Sequence, residues 1–324
     1  MFKKILAKLG KGAATVDLKL DNNEYQLGES IRGEIVIQGG EVEQEINQLA
    51  VRFMMHVGLK QGPTKQQITV IPIGSKDVIR PEEVKILPFQ YDIPTNIPLS
   101  SNTVSYYFDT NLDIASGVDR KDVDAIKVKA TDKMDTIFRA LNLLGFREKV
   151  TSGKLDAYGQ EFAFFPTTSF TGQVSEIELR FATEANDIRV WLEVDIRTSY
   201  KEVEAKREFL LDAEALQSEE QVAQIMEQHI AELMDQPYMF SHPFSFEQKF
   251  HKDSHSSNLK SAIPGMIGGL AVGMIGGMLI NEMLDDLELD DLVEDITDGF
   301  DDVTEDFEEA AGDIGDFFSG EDEF

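Results

Sequence analysis

Apolar and polar residues alternate with a period of two through much of this chain. The early apolar series are Val16, Leu18, Leu20, then Ile31, Ile35, Ile37, then Leu49, Val51, Phe53, Met55, Val57. A later run, from Ile188 to Ile196, alternates without a break. Strict alternation gives a strand one apolar face, and a sheet with one apolar face must bury it against another layer. Because turn residues separate the early strands, the pattern predicts antiparallel β-sandwiches.

One amphipathic stretch interrupts the alternation, at Met134 to Lys149. Its apolar residues recur at intervals of three and four: Met134, Ile137, Phe138, Leu141 and Leu144. This spacing predicts an α-helix with one apolar face, and Gly145 is predicted to end it, because glycine adopts the left-handed conformation without steric cost. A helix between two β regions predicts a connection between two domains, over residues 131–149.

The second β region is predicted to end in another helix. Ser218 and Gln221 form a capping box, an apolar stripe follows, and Pro237 ends the pattern. The single tryptophan, Trp191, lies opposite the apolar row of its strand. It is interpreted as packed against a neighbouring loop or domain, with an exposed contact residue as the alternative.

Charge and composition exclude several classes of function. There is no cysteine, which excludes disulfides, a thiol nucleophile and cysteine-ligated metals. The net charge of −30 is uneven, because residues 281–324 hold 20 of the 60 acidic residues and no Lys or Arg follows Lys260. The chain shows no basic stretch suited to a phosphate backbone, so nucleic-acid binding is not predicted.

Catalytic motifs are absent from the sequence. It contains no GxxxxGK, GxSxG or HExxH motif, so no catalytic residue and no cofactor is predicted. His56 is interpreted as a surface or edge histidine. His242, His251 and His255 with Asp253 have a spacing that metal sites use, but they lie in a Ser- and Lys-rich stretch, residues 237–261, which is interpreted as a polar linker. No metal site is therefore predicted.

The N-terminus, residues 1–12, is predicted to form a short basic amphipathic helix. It is interpreted as a helix that caps the first domain, with a membrane-surface anchor as the alternative. Its apolar run is broken by lysines and no small-residue cleavage site follows, so the sequence predicts a cytoplasmic protein.

An uncharged apolar stretch stands out near the C-terminus, within residues 262–283. Four of its glycines are spaced by four residues: Gly265, Gly269, Gly273 and Gly277. On a helix they form one stripe that lets another backbone approach closely, as in membrane helix packing. The stretch is interpreted as a helical glycine zipper for self-association or for membrane association through residues 263–280, and a flexible apolar linker is the alternative.

The acidic tail, residues 284–324, carries its own apolar pattern. Its predicted partner-binding residues step by four and three: Leu292, Ile296, Phe300, Val303 and Phe307. A helix would gather them into a narrow seam within an anionic surface, which predicts folding on a basic partner; the alternative is a disordered tail.

Several segments resemble one bacterial family. After Lys85 to Ile114, whose Pro94, Pro98 and aromatic return strand resemble an arrestin-like sandwich, come LGFR at 144–147, QEFAFFPT at 160–167 and FTGQVSEIELRF at 170–181. Together with DNNEYQLGES at 21–30 and the N-terminal FKKILAKLGKGAATVDLKL, these segments resemble the sporulation-control M family over about residues 1–234. The resemblance implies two tandem arrestin-like β-sandwiches, over residues 13–130 and 150–236, and a regulatory role.

Two hypotheses of function follow. The first is a non-enzymatic scaffold or adaptor that binds other proteins through its sandwich edges and acidic tail. The second is a membrane-associated structural or stress-related protein that assembles through its glycine zipper.

Overall fold

The computed structural model describes residues 12–59, 62–115, 117–156 and 158–244. The strands of the first half are β1 (Thr15–Leu20), β2 (Glu24–Gln26), β3 (Ser30–Gln38), β4 (Gln44–Leu59), β5 (Gly62–Ile79), β6 (Val84–Asp92), β7 (Val104–Ile114) and β8 (Arg120–Lys129). The second half contains helix α1 (Asp132–Leu143), strands β9 (Phe146–Glu148), β10 (Lys154–Asp156), β11 (Gly159–Pro166), β12 (Val174–Glu184), β13 (Asp187–Arg197) and β14 (Glu202–Leu211), and helix α2 (Glu219–Asp235).

The first half is a sandwich of two sheets. One sheet has the strand order β1-β3-β6, and the other has the order β2-β8-β7-β4-β5, in which only β2 and β8 are parallel. Aromatic rings fill the space between them: Phe53 of β4 stacks on Phe108 at 5.0 Å between centroids, and Tyr91 of β6 lies 5.2 Å from Phe53. The prediction of a β-sandwich is therefore confirmed here, for the reason that the alternation suggested.

The second half covers its apolar sheet face in another way. Its described strands form one antiparallel sheet, ordered β10-β11-β12-β13-β14, with β9 also paired to β11. The opposite layer consists of α1 and α2, whose apolar stripes pack on that face. The mainly β fold is confirmed, but this unit is one sheet under two helices in the described residues, where two sheets were expected.

Helix α1 belongs to the second unit rather than standing between the two. Phe138 contacts the sheet rings of Phe162 at 5.2 Å and Phe181 at 5.7 Å. The helix begins after Thr131, whose hydroxyl accepts a hydrogen bond from the Met134 N–H, and it ends at Leu143. The predicted end at Gly145 is confirmed, because Gly145 takes a φ of +81° and the chain then enters β9.

The predicted second helix is confirmed as α2. The Ser218 hydroxyl accepts a hydrogen bond from the Gln221 N–H at 3.2 Å, as the capping box requires. Pro237 begins a short 3-10 turn after the helix ends.

A buried amide joins the two units. Gln160 of β11 accepts a hydrogen bond from the Leu99 N–H at 2.6 Å and donates one to the Leu99 carbonyl at 2.9 Å. Its amide also donates to the Gly153 carbonyl at 3.0 Å. Gln160 is completely buried, so these groups have no access to water as an alternative partner. The loop after β6 is thereby tied to β11 of the second sheet.

Replacing Gln160 with leucine should destabilise the whole protein. The side-chain volume is nearly kept, but the buried N–H and carbonyl of Leu99 lose their partner, and such a loss costs about 1–3 kcal/mol. The measurement is the free energy of unfolding in urea. Gln224→Leu on the exposed side of α2 is the control, with an expected change within about 0.5 kcal/mol. Equal stability of the two variants would show that this amide does not hold the units together.

Candidate functional site

Most of the predicted site residues lie outside the described part of the chain. These are the zipper glycines Gly265, Gly269, Gly273 and Gly277, and the tail residues Leu292, Ile296, Phe300, Val303 and Phe307. Both sets stay predictions, as does the basic helix of residues 1–12. Among the described helices, none combines the length and apolar character needed to cross a bilayer.

The described histidines do not converge on one site. His56 is half-buried on β4, which pairs with β5 and β7, so it is not at a sheet edge. Burial and the nearby Lys65 lower its pKa. His229 of α2 lies against Phe209 and Arg207, and its pKa is lowered by burial and by the Arg207 charge. His242 is exposed, whereas His251 and His255 are outside the described residues.

One candidate surface is the open side of the first sandwich, defined here as the adjoining edges of β5 and β6. Lys85 at the start of β6 donates to the Asp77 carboxylate at 2.6 Å and to the Val78 carbonyl at 2.7 Å, which holds the two edges together at one end. Apolar side chains along this side remain partly exposed: Ile68, Ile71, Ile73, Leu87 and Tyr91. The sandwich core therefore reaches the surface between the two strands.

Two irregularities in the β4–β5 pairing set the direction of these isoleucines. The register shifts between Leu49 and Ala50 and between Phe53 and Met54, and each shift adds one residue to β5. The extra residues are Ile68 and Ile73. Each bulge reverses the side-chain alternation that follows, so Ile68, Ile71 and Ile73 all point toward the core despite their uneven spacing.

The second candidate surface is the acidic face, defined here as Glu176, Glu178, Glu193, Asp195 and Glu204. These residues lie on the side of the second sheet that faces away from α1 and α2. The register places Glu178 opposite Glu193, and it places Asp195 between Glu176 and Glu204. Side chains directly opposite on neighbouring strands are about 5 Å apart at Cβ, and like charges at such positions repel.

Two lysines partly neutralise the acidic face. Lys206 lies 3.0 Å from Glu193 and 3.8 Å from Glu204, and Lys149 lies 2.6 Å from Glu176. Immediately beside this group, Arg180 is buried and bonds to Asp156 and Glu161. The five carboxylates of the acidic face therefore exceed the lysines paired with them.

Burial and mutual repulsion raise the pKa values on this face. The pKa of Glu178 rises to about 8, first through burial and then through Glu161 and Glu193. Burial also raises the pKa of Glu193 to about 7, against the opposing effect of Lys206. The pKa of Asp195 rises to about 6, again through burial first and then through neighbouring carboxylates, and one of its carboxylate oxygens is buried without a hydrogen bond.

Three of these carboxylates have the arrangement of a possible oxygen ligand set. One oxygen atom from each of Glu193, Asp195 and Glu204 lies within 4.8 Å of the others. Hard cations such as Ca²⁺ use carboxylates of this kind. The Lys206 ammonium group already contacts two of the three, so a positive charge of the protein itself occupies this position.

The sequence interpretation missed the acidic face. A signal was present, because acidic residues alternate at 176 and 178, at 193 and 195, and at 202 and 204. Only the strand register shows that these separate pairs meet on one face, with Glu202 at its border opposite Arg197.

Trp191 lies beside the acidic face, on the same side of the sheet. It is almost completely buried and packs with Ala182 and Phe244. The interpretation that it packs against a neighbouring loop is therefore correct.

The comparisons with known proteins identify the family. The family model described as SpoOM protein matches residues 2–198. This chain belongs to the Spo0M family. The Spo0M match ends in the turn between β13 and β14, so β14 and α2 lie beyond it.

Two Spo0M relatives agree with this assignment. The sporulation-control protein spo0M of Bacillus subtilis (strain 168) is 29% identical over 252 residues, which are 72% of this chain and 98% of that protein. The crystal structure of Spo0M from Bacillus subtilis has 25% sequence identity and a TM-score of 0.58, and the match covers 69% of this chain and 99% of that one. The resemblance to the sporulation-control M family is thus confirmed.

Replacing Glu178 with glutamine should stabilise the protein at alkaline pH. Between pH 4.5 and about 8, folded Glu178 keeps a proton that the unfolded chain has released, so the free energy of unfolding falls as pH rises through this window. Glutamine removes that loss. We expect a gain of about 2 kcal/mol at pH near 8.5 and little change near pH 4, measured by urea unfolding.

The control for this experiment is Glu227→Gln on the exposed side of α2, where the expected change is within about 0.5 kcal/mol at either pH. A lower stability of Glu178→Gln at alkaline pH would contradict the repulsion that the register implies.

Proposed function

We propose that this Spo0M-family protein is a regulatory adaptor without catalytic turnover, and that it binds an extended segment of a protein partner along the β5 edge. The observation that carries the proposal is the open side of the first sandwich, where partly exposed core residues lie along a strand paired on one side among the described residues. The name of the Bacillus subtilis relative, a sporulation-control protein, supports a regulatory role.

The apolar contacts favour an extended partner. An added strand would contact the exposed side chains that border the open side, among them Val70, which is 43% exposed, and Ile86, which is 59% exposed. Strand addition supplies backbone hydrogen bonds for affinity, while side-chain contacts supply specificity.

Two prolines limit where such a partner could pair. Pro63 and Pro72 lie within β5 and have no N–H, so each is compatible with the strand only where its nitrogen faces away from β4. In an antiparallel strand the N–H and carbonyl of a residue point to the same side, and the side alternates along the chain. With the bulge at Ile68 included, Lys65, Gln67 and Val70 present their N–H groups to the open side. The pairing segment is thus residues 64–71.

The β6 edge is less suited to this role. Pro88 lies in its middle, opposite Glu34, so its nitrogen also faces away from β3 and breaks the row of donors. By the same alternation, Ile86 presents its N–H outward. These two edges therefore offer a matched pair of positions, Val70 and Ile86, at which one outward donor can be removed.

Val70→Pro should abolish partner binding without unfolding the protein. The substitution removes an N–H that does not pair with β4, whereas Val70→Ala removes only the side chain. The wild-type chain and Val70→Ala should recover the same partner proteins from extracts of the producing cell. With Val70→Pro, the recovered amount of each partner should fall at least about tenfold, since the lost hydrogen bond would be worth about 1.4 kcal/mol or more. Quantitative mass spectrometry is the measurement.

Ile86→Pro is the matched control, because it removes one outward donor from the other edge. Binding should survive this change. Retention of every partner by Val70→Pro, with thermal unfolding like that of the wild type, would refute strand pairing at β5. Loss of binding with Ile86→Pro alone would assign the partner to β6 instead and would also refute the proposal.

A further inference from the structure

The chain after α2 crosses from one side of the second sheet to the other. Following the 3-10 turn Pro237–Met239, the Phe240 carbonyl accepts a hydrogen bond from the Lys206 N–H at 2.8 Å. The Phe240 ring lies on the helix side, 4.8 Å from the Arg207 guanidinium carbon. The segment 236–244, named the strap here, thus covers part of the exposed edge of β14.

The strap ends beside the acidic face. Phe244 packs with Trp191 and Ala182 on the side of the sheet away from the helices, and its ring lies 5.4 Å from the Lys206 ammonium. Trp191 is two residues from Glu193 along β13, so the next side chain on this side of the strand already belongs to the acidic face. Eighty residues follow Phe244.

Glu247 is the first charged residue after the strap, and three lysines follow it. In this subsection the name linker is restricted to residues 248–260 of the polar stretch 237–261. It contains Lys249, Lys252 and Lys260, two histidines and a single acidic residue, Asp253. No other Lys or Arg occurs between Arg207 and the end of the chain. Lys249 is five residues beyond Phe244, and five extended residues span about 17 Å. The distance from Trp191 to Asp195 along β13 is about 13 Å at the usual rise of a strand, so the linker can reach the whole acidic face.

We propose that the linker binds the acidic face of the same molecule, where its lysines neutralise the carboxylates that Lys149 and Lys206 leave unbalanced. Two observations support this inference: the strap ends beside the acidic face, and the linker lysines are opposite in charge to the carboxylates of that face. It concerns a different surface from the β5 edge and does not depend on the proposed adaptor function.

Charge balance explains why this surface would take a basic segment. Five acidic side chains face two lysines, so acidic groups outnumber the lysines paired with them. Beside the face, the buried Arg180 bonds to both Asp156 and Glu161, and Glu202 lies opposite Arg197. Half-buried carboxylates without enough counter-charge gain more from a cation than exposed ones, because the surrounding dielectric is lower.

The acidic tail is the competing site for the same lysines. Residues 281–324 carry 20 carboxylates and no basic residue, so the tail could also pair with the linker. The two pairings place the linker lysines against different carboxylates, and a zero-length cross-linker distinguishes them.

The experiment is carbodiimide cross-linking of the full chain, which joins a lysine amine to a carboxylate in direct contact. Linked peptides are identified by mass spectrometry in an equal mixture of isotope-labelled and unlabelled protein. We expect links within one molecule from Lys249, Lys252 or Lys260 to Glu178, Glu193, Asp195 or Glu204. Their yield should fall at least about fivefold in roughly 1 M salt, where the Debye length is about 3 Å.

A variant of the face provides the second arm. Glu193→Gln, Asp195→Asn and Glu204→Gln together should remove links from the linker to this sheet, including any to the unchanged Glu178. The matched control carries Glu34→Gln, Glu43→Gln and Glu45→Gln, which are exposed on the first sandwich, and should leave the links unchanged. Linker lysines joined only to residues 281–324, joined only between different molecules, or joined to no carboxylate would overturn the proposal.

Discussion

The apolar face of an antiparallel sheet must be covered, and each half of this protein meets that requirement differently. In the first half, a three-stranded sheet covers a five-stranded one, and rings such as Phe53 and Phe108 fill the space between them. In the second half, α1 and α2 cover a single sheet. This difference leaves two distinctive surfaces. One is the incompletely closed side of the sandwich, which is partly apolar, and the other is the uncovered face of the second sheet, which is acidic.

The hydrogen bonds of the Gln160 side chain join the two units. It satisfies both backbone groups of Leu99 in a place that water does not reach. In the loop that carries Leu99, the Pro98 carbonyl accepts a hydrogen bond from the Tyr106 hydroxyl at 2.7 Å. The aromatic core of the sandwich therefore continues directly into the contact between the units. Both candidate surfaces are therefore held by the same core.

Much of the fold was predictable, because it depends on local patterns. The alternation of β1, β4 and β13, the Thr131-to-Gly145 helix and the Ser218 capping box each rest on residues close in sequence. The β5 isoleucines were harder to place, since their spacing of three and two has meaning only once the bulges opposite Leu49 and Phe53 are known. The helical layer over the second sheet was not predicted either, because an amphipathic stripe shows that a helix is covered on one face but not by which element.

Composition and short-range periodicity are properties of the chain alone, so the helices, most of the strands, the family and the uneven distribution of charge could be read from the sequence. Which charges meet depends on the fold. Glu178 and Glu193 are 15 residues apart in the chain, yet the strand register sets them opposite each other, and burial then raises the pKa of both carboxyl groups. Electrostatic interaction depends on distance through space and on the surrounding dielectric, and neither quantity can be read from the order of residues.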